Sequence, residues 1–157
     1  AVGNAVEVEE AIQCLRGEGP EDLAALVCDL IGDPRARDCL DSGAAMEKWE
    51  QMVAAQGGDL SLPLRGTGCK ERVVVADRSG SVLRCDALEI GQAAVLLGAG
   101  RERSDQDIHH GVGFWVHAKV GDRVEKGQPV ATILHAGRGL EAAERKLRSA
   151  FQLGERG

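Results

Sequence analysis

Apolar positions follow a helical period in the first third of the chain and a strand period in most of the rest. Val8, Ala11, Ile12 and Leu15 fall at i, i+3, i+4 and i+7, which lines one face of a helix with apolar side chains. Asn4 is a good N-cap for it, Glu7 stands three residues on as in a capping box, and Gly17 ends it. Pro20 sits where a first helical residue belongs, and Leu23, Leu26, Val27 and Leu30 form the next stripe. A third helix is expected over 41–59, with Ala45, Trp49, Met52 and Val53 inward and the Gly57-Gly58 pair as its stop.

From Arg72 the period changes to two. Arg72–Ala76 and Ser81–Arg84 flank Asp77-Arg78-Ser79-Gly80, which reads as a β-hairpin. Asp86 suits the cap of a helix whose apolar residues include Ile90, Ala93, Ala94 and Leu97. A strand follows at Gly113–Ala118. In the next stretch, Lys119–Ile133, the apolar residues are Val120, Val124, Val130 and Ile133, punctuated by Gly121-Asp122 and Lys126-Gly127. Glycine takes positive φ without a Cβ clash and aspartate bonds its own backbone, so both pairs read as turns. Two short strands so joined predict one edge of a small barrel or sandwich. Leu140, Ala143, Leu147, Ala150 and Phe151 predict a last amphipathic helix. The fold class expected is α/β (α+β): helices over 1–60, then a small barrel-sandwich β unit with helices over 72–157.

Composition narrows the function classes. Hydrophobic residues make up 43% and charged residues 28% of the 157 residues, which suits a chain that buries a core. Aromatics are 3%, so that core is Val, Leu, Ile and Ala. A net charge of −6 with no Lys/Arg cluster argues against nucleic acid, and no apolar run approaches a membrane span. The five cysteines, at 14, 28, 39, 69 and 85, include no C-x-x-C. That fits free thiols in a reducing compartment, hence a cytoplasmic protein. Cys14 and Cys28 lie on apolar helix faces and read as buried thiols.

Candidate chemistry is sparse. Gly98-x-Gly100-Arg101 has the make-up of a phosphate cradle, but it precedes a loop instead of opening a helix, so a helix C-cap with Arg101 in an ion pair is the plainer reading. His109, His110, His117 and His135 are the candidate general acids or bases, the role an imidazole most often plays, yet none has a serine, cysteine or carboxylate at triad spacing.

Two resemblances add to this. Gly121-Asp122-x-Val124-x-x-Gly127-x-Pro129-x-Ala131-x-Ile133 resembles the hammerhead of biotinyl and lipoyl carrier domains. No modifiable lysine follows in Leu134-His135-Ala136-Gly137, so the carrier function is not implied. The second resemblance is wider. Gly3-Asn4-Ala5-Val6-Glu7-Val8-x-Glu10-Ala11, then Leu15-x-Gly17-Glu18-Gly19-Pro20-Glu21-Asp22-Leu23, then Ser42–Asp59, then Leu97–Arg101, Gly111–Gly113 and the hammerhead are similar to the thymidine and pyrimidine-nucleoside phosphorylase family, C-terminal portion. The connections at 31–37 and 60–71 are shorter than the family pattern, either as real deletions or as missing residues.

That resemblance implies a phosphorylase α/β domain over 1–60 and the family's C-terminal domain over 72–157. It implies reversible phosphorolysis of thymidine, or of pyrimidine nucleosides, with phosphate as co-substrate and a homodimer as the working form. The family's phosphate- and pyrimidine-binding residues precede the position matched by Ala1. The chain is therefore expected to be one piece of a longer or nicked enzyme, partnered by that enzyme's N-terminal segment, with no catalytic or substrate-binding residue of its own. A structural potassium-type site is implied at Ala1 (carbonyl) and Glu10 (carboxylate), since oxygen ligands suit a hard cation. A non-enzymatic barrel-sandwich module is the alternative.

Overall fold

A computed structural model describes residues 1–65, 68–101 and 103–155. They divide into two compact units, Ala1–Val6 with Arg65–Gly157, and Glu7–Leu64.

The larger unit is built on two antiparallel sheets. The first has the order β1 (Val2–Gly3), β4 (Gly113–Val116), β6 (Pro129–His135), β2 (Lys70–Val75). The second has the order β5 (Arg123–Val124), β3 (Gly80–Cys85), β7 (Phe151–Gly154). Among the described residues the sheets do not close into one barrel. β6 lies inside its sheet and is apolar almost throughout, as a strand covered on both faces must be: Val130, Ala131, Ile133 and Leu134 are all buried. Phe114 faces Ile133 in register and is wholly buried. Helices α5 (Ala87–Leu97) and α6 (Leu140–Ala150) pack on this core through Ile90, Ala93, Ala94, Leu97, Ala143, Leu147 and Ala150. The alanines let the two helix backbones come close.

Several local expectations hold. The Asp86 carboxylate accepts from the Glu89 N–H at 2.9 Å, capping α5, and Gly98 ends it in the left-handed region at φ 96°. In the hammerhead, the Asp122 carboxylate accepts from the Lys119 N–H at 2.8 Å beside Gly121, and Gly127 turns at φ 86°. β5 and β6 follow in sequence but enter different sheets, so the stretch joins the two sheets instead of forming one edge.

Other expectations are corrected. Asp77–Gly80 does not make a hairpin, because β2 pairs with β6 while β3 pairs with β5 and β7. A break in register at Val74/Val75 marks where the chain leaves the first sheet. Phe151 is not the end of α6; it turns extended (φ −95°, ψ 127°) and opens β7, opposite Cys85. Pro20 is the N-cap of α2 (Glu21–Ile31), one residue earlier than expected, and its carbonyl accepts from Leu23 and Ala24.

The smaller unit carries most of α1 (Ala5–Leu15), then α2, α3 (Arg35–Asp41) and α4 (Ala44–Ala55). α3 arises within the short connection. Asp33 starts it, accepting from the Arg35 N–H at 2.9 Å and pairing with its guanidinium. α2, α3 and α4 hold no fully buried side chain. Ala45, Trp49 and Val53 are half-buried, and Met52, expected inward, is 42% exposed.

Candidate functional site

The residues singled out from sequence do not converge on one site. Gly98–Arg101 behaves as the end of a helix. The Gly98 N–H donates to Val95 O and the Ala99 N–H to Ala94 O, so these donors close the last turn of α5 and are not free for an anion. The Arg101 guanidinium donates to the Ser104 carbonyl at 3.3 Å. The side-chain amide of Asn4 donates to the Ala99 carbonyl at 2.6 Å, and the Ala5 N–H to His110 O at 3.0 Å. These bonds fasten the start of α1 to the turn after α5.

The histidines serve local geometry. His109 Nδ1 accepts from the Gly111 N–H at 3.3 Å, and His135 Nδ1 accepts from the Gly137 N–H at 3.2 Å. Each ring thus closes a turn two residues on, and His135 is buried at the end of β6. His117 Nε2 lies 2.8 Å from Thr132 Oγ1 across the β4–β6 pair. Cys14 and Cys28, expected as buried thiols, are half-buried and stand in no disulfide. Burial, and then the neighbouring Asp86 charge, push the Cys85 thiol up, which makes it a poor nucleophile.

Sequence reading missed a cleft of about 230 Å³ in the larger unit, lined by β2, the Asp77-Arg78 turn, Arg148 and β7. Its signal was hidden because the lining comes from strands distant in sequence. Its cations are occupied. Arg78 donates to the Leu153 carbonyl, while Arg148 donates to Val75 O at 3.1 Å and to the Glu144 carboxylate at 2.8 Å. This arrangement staples the second sheet and α6 to β2. It offers a ligand no uncommitted guanidinium of these two.

Ala1 stands ahead of β1 in the larger unit, and Glu10 lies half-exposed on α1 in the smaller one. A main-chain carbonyl and a carboxylate suit a hard cation in kind. Two oxygens do not complete its shell, and among the described residues no three His, Cys, Asp or Glu side chains gather into a metal group.

Comparison with known proteins supplies what the geometry does not. Residues 81–154 match the family model described as the pyrimidine nucleoside phosphorylase C-terminal domain. A thymidine phosphorylase of Mycobacterium tuberculosis is 41% identical over 141 residues, covering 84% of this chain and 33% of the relative. A pyrimidine-nucleoside phosphorylase of Bacillus subtilis is 41% identical over 152 residues, covering 85% of this chain and 35% of the relative. One from Staphylococcus aureus is 34% identical over 174 residues, covering 99% of this chain and 40% of the relative. The chain thus spans between a third and two fifths of the length of these relatives. Residues 81–154 belong to the pyrimidine nucleoside phosphorylase C-terminal domain family, and the chain as a whole aligns with the C-terminal portion of the thymidine and pyrimidine-nucleoside phosphorylases.

Proposed function

We propose that this chain is the C-terminal portion of an enzyme that phosphorolyses thymidine reversibly to thymine and 2-deoxyribose 1-phosphate, with its catalytic residues in the preceding portion. The observation that carries the reading is the 41% identity to a thymidine phosphorylase across 84% of the chain. In the reaction a phosphate oxygen bonds to C1′ of the sugar while the bond from C1′ to the base nitrogen breaks. The base leaves with the electron pair and takes up a proton. Charge builds on both fragments, so the transition state needs fixed cationic and N–H donors around each. The committed guanidiniums of Arg78 and Arg148, and the helix-capping N–H groups at Gly98–Ala99, are consistent with those donors lying elsewhere.

In this reading the larger unit is framework. The enzyme works as a cytoplasmic homodimer, and the Ala1 carbonyl and Glu10 carboxylate contribute to a structural monovalent-cation site completed by other residues. Among the described residues no helix is long and apolar enough to cross a membrane. The test is release of thymine from thymidine by the full-length protein in phosphate buffer, with uridine run alongside. Release that requires phosphate supports the proposal. No phosphate-dependent release from either nucleoside overturns it.

A further inference from the structure

An amphipathic helix in a finished fold buries its apolar stripe; α2 does not. Its stripe runs along Leu26, Val27, Leu30 and Ile31, at i, i+1, i+4 and i+5, with exposures of 54%, 43%, 78% and 58%. Beside it lies a groove of about 340 Å³ whose walls are mainly apolar, among them Val27, Ile31, Ala36, Leu40 and Ala45. The charged side chains Asp33 and Arg35 stand on this groove but pair with each other at 2.7 Å, so the pair leaves no lone charge to repel an apolar partner. Neither α2, α3 nor α4 has a fully buried side chain.

We propose that the stripe of α2 and the adjoining groove seat the preceding portion of the parent enzyme, which lays an apolar face across Leu26, Leu30 and Ile31. The proposal rests on the reading that the chain is the C-terminal portion of a phosphorylase. Length argues for that occupant: the chain covers 33–40% of its relatives, so most of such a protein lies outside it. A second copy of this chain would leave that larger portion without a part in covering the stripe.

The test is hydroxyl-radical footprinting of the unmodified full-length protein, read by peptide mass spectrometry at Leu26, Leu30 and Ile31. A packed interface core is as dense as a protein interior, so oxidation at Leu30 should run about tenfold slower than its exposure in this chain predicts. That protection should persist on dilution to concentrations at which dimers dissociate. Leu30→Cys in the full-length protein gives a second reading, with a slow maleimide reaction set against Glu50→Cys, whose position is exposed. Equal labelling at the two positions, or protection lost on dilution as a second copy departs, overturns the proposal. Thymine release measured on the same preparations separates this result from the functional reading: protection with no phosphorolysis defeats only the latter.

Discussion

Gly139 stands where a side chain has no room. It precedes α6 at φ 64°, and a Cβ there would lie under 3.0 Å from the Leu96 carbonyl oxygen and 2.9 Å from its carbon. Those atoms are α5 backbone, which cannot swing aside as a side chain would. Gly137, two residues earlier, has φ 95° and nothing within 4 Å of a Cβ. The pair therefore separates backbone strain from collision. Left-handed backbone costs an L residue roughly 1–2 kcal/mol, and this applies to both positions. Alanine also narrows the unfolded ensemble, which returns about 0.4–1 kcal/mol in each case. Only Gly139→Ala must also part α5 from α6, an overpacking cost of about 1–3 kcal/mol. Gly137→Ala should thus weaken α6 slightly and Gly139→Ala clearly more. Native-state hydrogen exchange of α6 amides in the full-length protein reads this directly, since local opening has its own free energy. The predicted gap is about tenfold in exchange rate or more, each tenfold being about 1.4 kcal/mol. Equal exchange in the two variants would refute the claim that close approach of the two helices makes glycine necessary at 139.

Phe114→Ala removes a wholly buried ring on β4, opposite Ile133 of β6, and it should cost about 3–5 kcal/mol in denaturant melts. Asp86→Ala should lower stability at neutral pH. The Glu89 N–H, and then Arg84, hold the Asp86 carboxyl below its ordinary value. That contribution is present above the unfolded carboxylate pKa and is lost as pH falls through the lower folded one, so the variant's deficit should shrink in acid melts. Cys85 should resist iodoacetamide in the native protein and react once unfolded, as peptide mapping will show. His135→Ala should lower the melting temperature of the full-length enzyme far more than its kcat for thymidine, because the ring closes a turn at Gly137.

Where a feature was local, the sequence announced it. Asp86 caps because its carboxylate reaches an N–H three residues on, and Gly121-Asp122 turns because both effects act within four residues. The partner of a strand is not local. Asp77–Gly80 carries the same turn chemistry whether the flanking strands pair or part, and long-range register between Arg72 and Ile133 decides that they part. β7 was hidden for a related reason. Phe151 fits the apolar stripe of α6, and four residues are too few to show a period of two. The stripe of α2 was legible as amphipathic, but its exposure was not, because a helical period shows which residues share a face and not what covers that face. The functional reading came from motif order along the chain, because no cluster of reactive groups marks it.

The most direct test sets residues 1–157 beside the full-length protein in one assay, thymine release from thymidine in phosphate buffer. Phosphate-dependent turnover by the full-length protein, with none by residues 1–157, is the predicted result. Robust turnover by residues 1–157 alone would contradict it and place the catalytic groups within this chain.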